Sequence, residues 1–343
     1  MSGLPAPFPY FGGKRRAAAL IWDALGDVGG YVEPFAGSAA VLLARPPFAG
    51  RRVETLNDAD GWLVNAWRAI QLAPDEVAAA AYGPVTEIDY HARLAWLQER
   101  RTPDLVSWLE GDPEAYDAKA AGWWLYVCAC GIGDPWGSGP WRVVDGHLRK
   151  LPHLGDAGKG VRRGLPHLGD AGKGVNRELP HLGNAGQGVN RELPHLGDAG
   201  KERLTGYMRA LAARLERVRI TCGSWERVLK PSVTRATAGN KQVGLLLDPP
   251  YTTGADLYAT DSVADMSAQV RQWCIDHTAD GYRIVLCGYD TDHDDLLTHG
   301  WTVTTGKAGR GSGYSTDPRA GRRERMWLSP DCHSGTLFDL GAE

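Results

Sequence analysis

Apolar positions along the chain follow two periodicities, and the changes between them divide it into segments. The run Val243-Gly244-Leu245-Leu246-Leu247 is continuously apolar, the pattern of a short strand buried on both faces of a parallel sheet. Further short strands are predicted at the segment opening with Tyr31 and at 53–58, 219–222 and 282–287. Apolar residues spaced three and four apart predict helices over 61–73, 74–82, 87–101, 113–128, 202–218 and 266–279. Strands alternate with helices towards both ends of the chain, and helical material interrupts them. One α/β domain carrying a large insertion explains that order.

Within the insertion lies a repeat. Leu151-Pro152-His153-Leu154-Gly155 recurs from Leu165, Leu179 and Leu193, a period of 14 residues. Proline excludes a continuous helix, and the Gly and Asn of turns such as 184–188 suit positive φ. Each unit is therefore expected to be an extended stretch and a turn, stacking with its neighbours because it is too small to bury a core alone. The boundaries that follow are 1–60 and 217–343 for the outer domain and 61–216 for the insertion, helical over 61–130 and repetitive over 151–204.

Composition changes this picture little. A hydrophobic share of 43% and a charged share of 23% are ordinary for a globular protein. No apolar run approaches the ~20 residues that span a bilayer. The Pro-rich start, Met1 to Tyr10, lacks the basic and apolar regions of a secretory signal, so a soluble cytoplasmic protein without membrane association is expected. The six cysteines are scattered, which argues against a disulfide scaffold. Cys128 and Cys130 have no second pair at zinc-ligand spacing, and no metal is expected; both are read as part of a buried segment beside Trp123, Trp124 and Tyr126.

Charge is uneven. Net charge is -3, yet 149–219 holds 14 Lys and Arg against 7 Asp and Glu, and 307–325 holds 6 against 2. These stretches are either solvated surfaces or grips for a phosphate backbone.

Four motifs carry candidate chemistry. In Tyr31-Val32-Glu33-Pro34-Phe35-Ala36-Gly37-Ser38 a strand runs into a turn of small residues, where Gly37 lets a ligand approach the backbone. The next strand ends at Asp58, a position from which a carboxylate can accept hydrogen bonds from ribose hydroxyls. No phosphate-binding G-x-x-x-x-G-K-[ST] loop occurs, so a nucleoside without a polyphosphate fits better than ATP; the lysine of Gly12-Gly13-Lys14 could meet a ligand carboxylate. The most specific string is Asp248-Pro249-Pro250-Tyr251, directly after the buried strand. Two prolines there cannot continue a sheet and force a rigid turn at its carboxyl edge, where such folds bind ligands.

Together these motifs resemble the Dam-like DNA adenine methyltransferases, over roughly the first 70 residues and everything after about Arg217. In that family an aromatic-x-Gly-Gly-Lys box precedes an E-P-F-x-G turn and an acidic ribose ligand, and D-P-P-Y follows an inserted target-recognition domain. P-H-L-G repeats also resemble phage-encoded members. The resemblance implies a Rossmann-like S-adenosylmethionine-dependent methyltransferase fold, a mostly parallel doubly wound sheet with an inserted recognition domain. It also implies methyl transfer from S-adenosylmethionine to N6 of adenine in double-stranded DNA. Carried over by position, Tyr10, Gly12, Gly13, Lys14, Glu33, Pro34, Phe35, Gly37, Asp58, Ser224, Trp225 and Asp248 would bind the cofactor. Asp248, Pro249, Pro250 and Tyr251 would form the catalytic centre. Two positions depart from the family pattern: Ala39 stands where a second glycine is frequent, and Ser224 where an aspartate is frequent.

In the expected chemistry, Asp248 and the Pro249 carbonyl accept the N–H bonds of the target amine and Tyr251 stacks on the base. The base must leave the duplex, at a cost of a few kcal/mol. Arg149, Lys150, Lys159, Arg162, Arg163, Lys173, Arg177, Arg191, Arg310 and Arg322 are candidate phosphate contacts. The periodic histidines are assigned a structural or DNA-facing role, and Trp123, Trp124, Trp136 and Trp141 either belong to the core or stack on bases. A cytosine-C5 mechanism would need a Pro-Cys nucleophile, which is absent. Cytosine N4, RNA, protein or a small molecule as acceptor, and a catalytically silent DNA-binding protein, stand as alternatives. No obligatory protein partner is indicated, and the chain is silent about a cognate restriction enzyme.

Overall fold

The computed structural model describes residues 4–8, 10, 13–47, 52–100, 104–112, 114–130, 141–144, 147–150, 198–238, 242–250, 263–305 and 324–333. The elements begin with α1 (Ala18–Leu25), β1 (Gly30–Glu33), α2 (Ala40–Leu43) and β2 (Val53–Asp58). Helices α3 (Gly61–Leu72), α4 (Pro74–Ala81), α5 (Glu87–Glu99), α6 (Asp104–Gly111) and α7 (Ala118–Cys130) follow. Then come the hairpin β3 (Trp141–Val144) and β4 (His147–Lys150), and helix α8 (Asp198–Leu215). The chain continues through β5 (Val218–Cys222), α9 (Glu226–Leu229), α10 (Pro231–Ala238), β6 (Val243–Leu247) and α11 (Val263–Asp276) to β7 (Arg283–Tyr289), β8 (Thr302–Thr305) and β9 (Glu324–Leu328).

These elements form two compact units, one of Met1–Leu4, Tyr10–Ala59 and Arg217–Glu343, the other of Pro5–Pro9 and Asp60–Glu216. In the first, seven described strands make one sheet in the order β5-β2-β1-β6-β7-β9-β8. All neighbours from β5 to β7 are parallel, and β9 runs antiparallel to both β7 and β8. The protein is thus α/β with a mostly parallel mixed sheet, compatible with a Rossmann-like fold. Every residue of β1 and β6 is buried, as the apolar run 243–247 predicts for central strands. Leu245, Leu247, Ile284 and Leu286 alternate onto one face, where they pack with Val270 and Cys274, one turn apart on α11. Successive elements wind outward on either side of the β1/β6 boundary. The loops after these two strands therefore flank the switch point at which such sheets bind ligands.

In the second unit, buried polar side chains of α3 pin the α6–α7 connection. Asn65 donates to the Asp117 carbonyl (3.0 Å) and accepts from its N–H (2.7 Å), while Asp117 caps α7 by accepting from Ala120 (2.8 Å). Phe8 packs edge-on against Trp124, centroids 4.7 Å apart, and tilted against Trp67 at 5.6 Å. These contacts explain why 5–9 belong here and not with the outer segments, where the pattern alone put them. Trp124, Cys128 and Cys130 are buried on α7, whereas Trp123 is half-buried and meets Trp96 edge-on at 4.9 Å. No helix among the described residues is long and apolar enough to cross a membrane.

Helix α8 begins at Asp198, inside the final repeat copy, and ends before β5, so the helix predicted over 202–218 is displaced towards the N-terminus. The last copy continues Lys201-Glu202-Arg203 where earlier copies place a glycine after the fourth turn residue, and good helix formers replace a breaker. The repeats before Asp198, including their histidines, and Trp136 lie outside the described residues. Helices α1, α6, α9 and α10 and strands β3, β4 and β8 were not predicted.

Candidate functional site

Three turns meet at the carboxyl ends of β1, β2 and β5. After β1 the chain folds through 34–39; the Ala36 N–H donates to the Asn57 carbonyl (2.9 Å) and the Gly37 N–H to Asp58 Oδ2 (3.0 Å). The fully buried Asn57 side chain donates to the carbonyls of both Pro34 and Gly223, each at 3.0 Å, and accepts from Thr221 (2.9 Å). Asn57 was not among the expected site residues. Its only sequence signal is a polar residue one place before the strand-terminal carboxylate. Asp58 itself is half-exposed. A carboxylate offers about four acceptor sites, so holding Gly37 does not exhaust it.

Gly37 and Ala39 both adopt left-handed conformations, φ 45° and 49°. At Ala39 a Cβ in this conformation costs roughly 1 kcal/mol, which a glycine would avoid. A Cβ on Gly37 would lie 2.6 Å from the Tyr10 ring, so Tyr10 sits directly over the turn. Gly37→Ala is expected to destabilise the protein by about 1–3 kcal/mol through strain and overpacking, whereas Ala39→Gly should change stability by less than about 1 kcal/mol. Chemical unfolding of both variants checks the contrast, and equal effects would overturn it.

Glu33 closes β1 with its side chain sealed at 2% exposure. Its Oε1 accepts from the Tyr31 hydroxyl (2.5 Å) and the Leu42 N–H (2.8 Å). It thereby serves the first turn of α2, whose own cap residue Ala39 has no side chain able to do so. Burial pushes the Glu33 carboxyl from the usual 4.5 up to about 8, against the two hydrogen bonds that favour the anion. Because the folded value is raised, the folded protein holds a proton between about pH 4.5 and 8 that the unfolded chain releases, and stability falls as pH rises through that window. Glu33→Gln should therefore gain on the parent between pH 5 and 8.5, by on the order of 2–4 kcal/mol. Denaturant melts at the two pH values give the difference; a pH-independent offset would contradict it.

The second half of the site lies past β6. Lys14, held in a turn by the Gly13 N–H to Tyr10 carbonyl (3.2 Å) and Ala17 N–H to Lys14 carbonyl (3.1 Å) bonds, is 4% exposed at its side chain. Its Nζ stands 2.8 Å from Asp248 Oδ2 and 2.8 Å from Glu324 Oε1. Burial alone would lower the lysine pKa; the two carboxylates more than reverse this and hold it above its usual value. Beside them Cys287 is buried, and burial together with the Asp248 charge keeps its thiol protonated. Lys14, expected to contact the cofactor, here has carboxylate partners supplied by the protein itself.

Glu324 was not an expected site residue. It opens β9 opposite Tyr289, and because β9 is reversed its first residue reaches the carboxyl end of β7 beside the end of β6. Pro249 is buried and Pro250 half-buried. Trp225 is buried in the core and stacks on Phe35, centroids 6.1 Å apart and planes 29° from parallel, while Ser224 is exposed. Tyr10, Gly13, Lys14, Glu33, Pro34, Phe35, Gly37, Asp58, Ser224, Trp225, Asp248, Pro249 and Pro250 all belong to the first unit.

Gly12, Tyr251, Lys159, Arg162, Arg163, Lys173, Arg177, Arg191, Arg310 and Arg322 lie outside the described residues. Arg149 and Lys150 lie on β4, whose backbone pairs with Arg142 and Trp141. Within the same basic stretch, Arg209 is committed to Asp75 by two 2.7 Å bonds. No group of three or more His, Cys, Asp or Glu among the described residues is placed to hold a metal ion. No protein-family model matches the chain, and no curated protein matches it.

Proposed function

We propose that the protein is an S-adenosylmethionine-dependent DNA methyltransferase acting on the exocyclic N6 amino group of adenine. On this proposal the sheet is a methyltransferase variant of the doubly wound fold. The observation that carries it is the placement of Asp248, ion-paired to the sealed Lys14, after the central strand β6, next to the Gly37–Asp58 turn after β1. Active sites of open α/β sheets lie in this crevice.

The residues present suit the cofactor's chemistry. Asp58 ends β2 as an acceptor for ribose hydroxyls, the half-buried Phe35 offers a ring face, and Gly37 leaves the turn without a Cβ. When bound, the cofactor supplies a methyl group on a cationic sulfur, which leaves as a neutral thioether while the accepting nitrogen takes the charge and then loses one proton. The protein's part is electrostatic. Lys14 holds Asp248 Oδ2 in place through their ion pair, so the carboxylate can accept an N–H of the amine and stabilise positive charge developing on nitrogen. The Pro249 carbonyl can accept the other N–H, and Tyr251 would stack on the base. Extrusion of the base from a duplex costs a few kcal/mol, drawn from phosphate contacts of the basic stretches.

The test is transfer of tritiated methyl from the cofactor to duplex DNA, with RNA and protein as competing acceptors and digestion of the product to single nucleosides. Label on N6-methyladenine is expected. Label on cytosine N4 would leave the site and change the base, and tight DNA binding without cofactor binding would point to a silent DNA-binding protein.

A further inference from the structure

Arg93, Arg100 and Lys119 lie outside the basic stretches of the sequence, yet the fold of the second unit collects them around two tryptophans. Trp96 on α5 and Trp123 on α7 meet edge-on, with planes at 68°, and both are half-buried. The guanidinium of Arg100, the residue after α5, lies 3.9 Å from the Trp96 centroid. The Lys119 ammonium lies 5.0 Å from Trp96 and 4.5 Å from Trp123. Arg93 lies 3.8 Å from the Tyr126 ring and 5.7 Å from Trp123. The rings hold these cations without neutralising them. Among the described residues, neither the Lys119 ammonium nor the Arg93 guanidinium has an ion pair or hydrogen bond. Arg100 meets one exposed carboxylate, Glu99, at 3.8 Å and donates to the Trp96 carbonyl (3.3 Å). Asp89, whose charge reaches Tyr126, is bonded to Thr86. The hairpin β3–β4 packs beside α5, and in its register Arg142 stands opposite Arg149 and Lys150 opposite Trp141. Like charges opposite one another in a ribbon repel, and a polyanion relieves that repulsion.

We propose that this α5–α7 face grips the phosphate backbone of duplex DNA without reading its sequence, and that Trp96 and Trp123 are platforms for the cations rather than rings that stack on bases. The inference rests on the function proposed above for the identity of the polyanion. A cation laid over an indole is fixed through the ring, and a guanidinium held by its face keeps N–H donors on its edge. With Arg100 and Lys119 already over the rings, the face offers positive charge and donors, which suit phosphate oxygens.

The experiment measures binding of the full chain to labelled duplexes of unrelated sequence by fluorescence anisotropy, without cofactor, from about 50 to 200 mM salt. Arg100 and Lys119 are exposed, so the double variant Arg100→Gln/Lys119→Gln should fold as the parent does. It is expected to bind every duplex about tenfold more weakly and to reduce the slope of log affinity against log salt by about two, close to one for each lost phosphate contact. Arg209→Gln, which removes a charge already committed to Asp75, should leave the slope unchanged. An unaltered slope in the double variant overturns the inference and leaves the proposed function standing, as does a loss confined to one duplex sequence. Polyglutamate that displaces the labelled duplex as well as unlabelled duplex does would assign the face to an acidic protein and overturn it too. Parent protein that shows the expected losses on substitution but transfers no methyl group would refute the proposed function and keep this face as a DNA-binding surface.

Discussion

Asp248→Ala is expected to transfer methyl groups about 10²–10³-fold more slowly than the parent while retaining DNA binding. Asp248 follows the last buried residue of β6, and the two prolines behind it hold its backbone in one direction. Its Oδ2 is anchored on Lys14, so the carboxylate arrives at the site already oriented, and no reorganisation is needed when charge appears on the amine. Alanine removes both the acceptor and the charge. It leaves Lys14 paired to Glu324, so the enclosed cation keeps a counter-ion and the fold should persist. Asp248→Asn separates the two contributions: its amide oxygen still accepts an N–H, but the charge is gone, and its rate should lie between those of alanine and parent. Single-turnover transfer to duplex DNA at saturating cofactor reads all three. Equal rates in parent and alanine variant would place the chemistry elsewhere.

What the sequence revealed depended on the range of the forces involved. Strands β2 and β6 occupy the predicted residues 53–58 and 243–247, because apolar runs bounded by turn formers need no partner to be recognised. Helices α3, α4 and α5 begin where expected, α4 with proline at its first position, where a missing N–H costs nothing. By contrast β8, Thr302-Val303-Thr304-Thr305, is wholly β-branched, but at four residues it is short, and its pairing with the reversed β9 is set by nothing local. The same holds for the site. Gly37, Asp58 and Asp248 were legible as strand-end residues with distinctive neighbours. Glu324 was not, since it reaches Lys14 only through the reversal of β9, and Asn57 was hidden because its work is to join three turns distant in sequence. Phe8 shows the same limit, for its aromatic partners Trp67 and Trp124 stand far along the chain.

Lys14→Met tests the architecture of the site independently of any ligand. Methionine matches the lysine stem in length and apolarity, but Asp248 and Glu324 would then converge on a position with no cation. Removing one member of a buried charge group typically costs 3–5 kcal/mol; with both carboxylates partly open to water, about 2–4 kcal/mol is expected at pH 7. The sign of its pH dependence follows from linkage. In the parent, the lysine value is raised above its unfolded value, so its contribution is complete throughout the neutral range and fades only at strongly alkaline pH. In the variant, Asp248 and Glu324 face one another across a position that holds no cation, and their mutual repulsion should make the loss larger at pH 7.5 than at pH 5. The double variant Lys14→Met/Glu324→Gln removes the like-charge contact and should regain most of the loss, a coupling that a double-mutant cycle reads directly. Urea melts of the four proteins at pH 5 and 7.5 make the measurement. A methionine variant as stable as the parent at both values would mean that Lys14 does not hold these carboxylates together, and Asp248 would then lack the anchor on which its role depends.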